Sequence, residues 1–173
     1  MSKHSIDMMV NGRRHGSDVE ARTSLADYLR EGAGYTGVHI GCEHGVCGAC
    51  TVIVDGKAVR SCLMLAVQAD GTSVITAEGL AAADGTLHPV QQAMQDEYGL
   101  QCGFCTPGIV MTMASLTTSA PNGEQEKASE AQLLDALSGH ICRCTRYQGI
   151  RRAAQKLTAA NAVEFCSGSG DQV

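Results

Sequence analysis

The sequence predicts an α+β fold: an N-terminal β-grasp roll over residues 1–79, a small all-α four-helix bundle over residues 80–165, and a disordered tail over residues 166–173. Three observations carry this. Asn11-Gly12 and Asp55-Gly56, two strong hairpin turns, each lie between short strand-like runs. Near Gly79 the composition shifts to Ala, Leu, Met and Gln at helical spacing. Finally, the chain holds nine cysteines in 173 residues, and eight of them fall into two groups, one in each half.

In chain order, residues 5–10 form a short alternating run that ends at Asn11-Gly12, and a second strand returns to about Val19. Ser24 precedes Leu25, Tyr28 and Leu29, with Asp27 in the first turn, the signature of an N-capped helix of about two turns ending at Gly32 or Gly34. Residues 51–54 are an apolar β-branched run, Asp55-Gly56 turns, residues 57–60 return, and residues 73–76 add another strand. Helical spacing follows over residues 89–98, 107–118, 130–138 and 148–161. Pro89 and Pro107 stand where a first helical residue tolerates proline. Residues 119–129, SAPNGEQEKAS, read as a solvated polar loop.

Aromatic residues make up 3% of the chain and Trp is absent, so the core must be aliphatic and needs further support. The start, MSKHSIDMMVNG, lacks the apolar run of a signal peptide, and no stretch approaches the roughly 20 apolar residues of a membrane span. A cytoplasmic location is therefore expected, where clustered cysteines are metal ligands or redox groups rather than disulfides. A net charge of −5 without any basic run argues against nucleic acid as a partner.

Cys42, Cys47 and Cys50 lie in CEHGVCGAC, with Cys62 further on. This C-x4-C-x2-C spacing with a distant fourth cysteine is the plant-type 2Fe-2S pattern. Gly41, Gly45 and Gly48 supply the positive φ angles and close backbone approach such a loop needs. Freed backbone N–H groups can point at the sulfurs and stabilise negative charge. A four-cysteine zinc site would ask for two paired knuckles, and a redox dithiol would leave Cys42 and Cys62 without a role. Cys102 and Cys105, in QCGFCTPG, and Cys142 and Cys144, in GHICRCTRY, form a second set of four. Each pair immediately precedes a predicted helix, whose N-terminus favours negative charge. Cys142 and Cys144 are too close to close an unstrained disulfide, yet both can bind one iron.

Arg143 and Arg146 add positive charge beside this pair. At about 6 Å and an effective dielectric of about 20, one such charge favours a reduced cluster by ~3 kcal/mol, roughly 0.1 V. If both are solvated, the effect shrinks several-fold. Cys166, in the Gly-Ser tail, is read as a free thiol. His44 invites a Rieske reading, but Rieske centres replace two cysteines by histidine and this loop keeps its cysteines. His140 reads as a hydrogen-bonding residue of a loop or helix end.

GCEHGVCGACTV from Gly41, SC at Cys62, QCGFCTPG from Gln101 and GHICRCTRYQGI from Gly139 occur in one order over about residues 5–162. In this the chain resembles the small iron-sulfur subunit of the molybdenum hydroxylases, the xanthine dehydrogenase and aldehyde oxidoreductase group. The resemblance implies a ferredoxin-like β-grasp domain and a helical domain, each with one 2Fe-2S cluster. The cluster of Cys102, Cys105, Cys142 and Cys144 would lie nearest molybdenum, and that of Cys42, Cys47, Cys50 and Cys62 nearest FAD. Gln101 and Cys144 would lie against the pterin. The implied partners are a large subunit with molybdopterin, as its cytosine dinucleotide, and a medium subunit with FAD, assembled as a dimer of heterotrimers. The small subunit passes electrons singly between two-electron centres and is not catalytic alone. The loop wording CEHGVCG resembles the separate-subunit enzymes for N-heteroaromatic compounds, carbon monoxide or acyl-CoA thioesters, and a substrate such as quinoline is the expectation. A freely diffusing two-cluster carrier and an all-cysteine zinc protein are the competing readings.

Overall fold

The computed structural model describes residues 3–117 and 128–162. Most of the polar loop expected at 119–129, and the tail with Cys166, lie outside the described residues. Five strands form one mixed sheet in the order β2-β1-β5-β3-β4. These are β1 (Lys3–Val10), β2 (Arg13–Glu20), β3 (Thr51–Val54), β4 (Lys57–Arg60) and β5 (Ser73–Ile75). Both hairpins turn where expected: Asn11 and Gly12 have φ of 50° and 75°, Asp55 and Gly56 of 46° and 81°. Two successive left-handed residues match the right-handed twist of the strands they join.

Helix α1 (Leu25–Asp27) continues as a π-wound turn, Tyr28–Gly32. Ser24 caps it as its sequence suggests, its Oγ accepting from the Asp27 N–H at 3.0 Å. Leu25 and Leu29 are fully buried against Val10, Val52 and Val74 of the sheet. Four helices follow: α2 (Pro89–Asp96), α3 (Thr106–Thr117), α4 (Glu130–Ser138) and α5 (Tyr147–Ala162).

All four residues of β3 are buried. The strand lies inside the sheet, between β5 and β4, and it is covered on both faces, which is why its sequence is continuously apolar rather than alternating. Val52 and Val54 join the core under α1, whereas Ile53 joins the helical core with Ile109, Val110 and Met113 of α3. Helix α3 lies against β3. Its residues from Gly108 to Ser115 are all buried, as befits a helix that is apolar all round. The cores are aliphatic with several methionines, Met8, Met94, Met111 and Met113 among them.

Candidate metal centres

The first cysteine loop joins the turn after α1 to β3. It is held open by left-handed residues: Glu43 at φ 56°, Gly45 at 82° and Gly48 at 78°. Gly41 is different from the expectation, because its φ is not positive. A Cβ there would lie 3.2 Å from Cys47 Sγ and 3.1 Å from the Phe104 ring, so glycine eases a close approach.

Backbone amides converge on the sulfurs. The Cys47 N–H points at Cys42 Sγ at 3.4 Å. This amide, with those at His44 and Val46, brings the Cys42 thiol down to about 6. Cys62, in a short turn (Ser61–Leu63) just past β4, is pushed up to about 11 by burial and by the neighbouring Cys50 thiol. Burial also raises Cys47, whose thiol contacts that of Cys42. The four thiols thus act on one another: Cys42 and Cys50 both raise Cys47, and Cys50 and Cys42 both raise Cys62.

The second group forms where the segments before α3 and α5 meet. Burial, then the Cys142 thiol, push Cys105 up to about 12. Cys102, exposed, is lowered by the Phe104 amide and then by the Cys144 thiol. Here the influence crosses between the two segments, Cys142 acting on Cys105 and Cys144 on Cys102. The turn after Cys142 wraps back on it, with the Thr145 N–H on its carbonyl at 3.2 Å and the Arg146 N–H on its Sγ at 3.4 Å. To make that turn Thr145, a β-branched residue, holds φ at 58°, a conformation that persists only where surroundings impose it. Tyr147 Oη accepts from the Cys142 N–H at 2.8 Å.

Arg143 and Arg146 are both exposed in this chain, where water screens surface charge. Gln101 is exposed beside Cys102, and Cys144 is half-buried, so both stand at the surface of the second group. His44 Nδ1 turns to the Cys42 carbonyl rather than inward to the sulfurs. His140 is 3% exposed, and its Nε2 shares a 2.8 Å hydrogen bond with Thr112 Oγ1. Burial, then the Arg60 charge, push it down to about 4, so it is neutral near pH 7. Its part is structural, as its sequence position suggested.

Each group offers four unbridged cysteines, with a backbone amide aimed at sulfur in each. That is the donor set of a 2Fe-2S cluster, which needs two thiolates on each of two irons and neutralises its negative charge on N–H dipoles.

A family model described as a 2Fe-2S iron-sulfur cluster binding domain matches residues 8–81, and another described as a 2Fe-2S binding domain matches residues 76–155. The chain is 47% identical over 163 residues to the caffeine dehydrogenase subunit gamma of Pseudomonas sp. (strain CBB1), covering 94% of this chain and 96% of that one. It is 51% identical over 148 residues to the nicotine 6-hydroxylase small subunit of Paenarthrobacter nicotinovorans, covering 86% of each. Among solved structures, quinoline 2-oxidoreductase from Pseudomonas putida 86 contains a chain that superposes with a TM-score of 0.81 at 42% identity, over 92% of this chain and 95% of that one.

Proposed function

This chain belongs to the small iron-sulfur subunits of the molybdenum hydroxylases, and on that premise we propose that Cys42, Cys47, Cys50 and Cys62 hold one 2Fe-2S cluster and Cys102, Cys105, Cys142 and Cys144 a second. Its function is that of the electron-transfer subunit in a multi-subunit oxidoreductase with large and medium partner chains. The observation that supports the ligand assignment is the convergence of backbone amides on sulfur in both groups, the Cys47 N–H on Cys42 Sγ and the Arg146 N–H on Cys142 Sγ at 3.4 Å each, among eight unbridged cysteines. When bound, the clusters supply one-electron carriers between the molybdopterin of the large subunit and the FAD of the medium one.

The chain's own residues hold these groups in place and tune their surroundings. The amides of Cys47 and Arg146 donate to Cys42 and Cys142 and oppose negative charge on sulfur. Burial of Cys50, Cys105 and Cys142 keeps water from the inner side of each group. Gln101 and Cys144, at the surface of the second group, face the pterin, which places that group on the molybdenum side and the β-grasp group on the flavin side. The division between the two cluster-binding units falls at Gly79, between β5 and α2.

The substrate class is an aromatic N-heterocycle. Support comes from relatives named for caffeine, nicotine and quinoline, each of which contains such a ring. The pocket belongs to the large subunit. The complex is a cytoplasmic dimer of heterotrimers; among the described residues no helix is long and apolar enough to cross a membrane. Purification of the tagged chain from its source tests the reading. Co-isolation with a flavin-binding and a molybdopterin-binding chain, in a mass fitting two copies of each, is the expected result; a lone monomer with both clusters intact would support the free carrier instead.

A further inference from the structure

The two cysteine loops meet along a polar seam that neither group's chemistry requires. The Ile141 N–H, next to Cys142, donates to the carbonyl of Cys47 at 3.0 Å. One hydrogen bond thus joins a cysteine residue of the first group to the chain neighbour of a cysteine in the second. Around it, Arg60 at the end of β4 reaches two ways: one guanidinium nitrogen donates to Thr51 Oγ1, and the other to the Gly139 carbonyl at 3.0 Å. Thr51 Oγ1 in turn donates to the Gly48 carbonyl at 2.6 Å. The relay therefore runs from Gly48, beside Cys47, to Gly139, ahead of Cys142.

On the other side of Gly48 stands the His140 ring. It is fixed by Thr112 of α3, and both residues are buried, at 3% and 5% exposure. Gly108 of α3 packs so closely that a Cβ there would strike the Gly48 carbonyl. The first loop is tied at its far end as well, where His39 Nδ1 bonds to the Phe104 carbonyl at 2.7 Å and the two rings stack with centroids 5.0 Å apart. Contacts as short as these, made by backbone atoms and the buried His140 ring, leave the loops little freedom to move separately.

We propose that Arg60 and the His140–Thr112 pair are positioning residues: they hold residues 139–142 against Cys47 and Gly48, and so fix the spacing of the two thiol groups across the Ile141-to-Cys47 hydrogen bond. This rests on the reading of both groups as cluster sites. Spacing matters because electron transfer between two centres weakens steeply with distance, so a seam that loosened would slow the chain's only task. Arg60 is suited to the role because its planar fork serves two acceptors at fixed separation, which a lysine cannot do.

The test compares the purified complex with its Arg60→Met, Arg60→Lys and Thr112→Val variants. Two readouts are taken: the magnetic splitting between the two reduced centres by electron paramagnetic resonance, which falls with the cube of their separation, and hydrogen exchange at the Ile141 amide. Arg60→Met and Thr112→Val are expected to change the splitting while each centre keeps its own g values, and to speed Ile141 exchange by about tenfold. Arg60→Lys, retaining one of two contacts, should recover part of both effects. Unchanged splitting and unchanged Ile141 exchange in both variants would overturn the proposal. So would a shift in the g values of both centres with Ile141 protection intact, since that is general loosening. If Arg60→Met fails to assemble, Thr112→Val, nearly isosteric, decides. If the parent complex shows no pair of 2Fe-2S signals, the proposed function fails, and Ile141 exchange alone still settles the seam.

Discussion

Gly48→Ala should be far more damaging than a single methyl suggests. Gly48 sits at φ 78°, where an L residue with a Cβ costs roughly 1–2 kcal/mol. The new methyl would also collide with His140 Nδ1 and lie 2.9 Å from the Gly139 carbonyl. His140 is pinned by Thr112, and Gly139 by Arg60, so neither can step aside freely, and overpacking of this kind adds about 1–3 kcal/mol. The expected loss is about 2–5 kcal/mol. Gly56→Ala is the control: its φ is 81°, but nothing lies within 4 Å of the added carbon, so only the backbone cost of roughly 1–2 kcal/mol applies. Urea unfolding of the two variants, compared through midpoints at equal slope, measures the difference. Equal losses in the two variants would refute the steric part of the reasoning, and a neutral Gly48→Ala would refute all of it.

Gly108→Ala should push α3 off the cysteine loop, because its methyl meets the Gly48 carbonyl and lies 3.0 Å from Ala49 Cα; a loss of about 1–3 kcal/mol is expected from the same unfolding measurement. His88 caps α2, its Nδ1 accepting from the Val90 N–H at 3.3 Å, and burial holds it below its ordinary 6.5. Its contribution is therefore present above pH 6.5 and lost as pH falls below that value. His88→Asn keeps a capping acceptor without a titrating group, so stability measured from pH 7 to pH 5 should fall less steeply than in the parent, and an unchanged slope would contradict the assignment. Cys47→Ser should remove one 2Fe-2S signal and slow flavin reduction, while substrate still bleaches the other centre. Loss of reduction at both centres in an assembled complex would reverse the proposed order.

Local signals made much of the fold legible. Asn11-Gly12, Asp55-Gly56, the Ser24 cap and Pro89 act over a few residues, and each element they predict is present within a residue or two. The split of the cysteines by half was also legible, since spacing alone separates CEHGVCGAC from the two later pairs. What spacing could not show is which thiol meets which. Cys105 and Cys142 are brought together by packing of α3 and α5, and no local rule distinguishes Cys142 from Cys144. Gly41 was read for positive φ and close approach; only the close approach holds, and one of the neighbours that makes it tight is Phe104, far away in sequence. Arg60, Thr112 and His39 carried no signal at all. Their roles arise from hydrogen bonds spanning 79, 28 and 65 residues, and a lone arginine or threonine on a strand or helix looks the same whether or not such a partner exists. The π-wound turn Tyr28–Gly32 was missed because a single i→i+5 turn, here the Ala33 N–H on the Tyr28 carbonyl, is too short for its wider repeat to show in the apolar pattern.

The central claim is that this chain holds two 2Fe-2S clusters on two separate sets of four cysteines. Electron paramagnetic resonance of the fully reduced complex, taken with iron and acid-labile sulfide content per chain, tests it most directly. The account predicts two distinct 2Fe-2S signals, with two irons and two sulfides for each set. A single signal, or zinc in place of iron at either set, would contradict it.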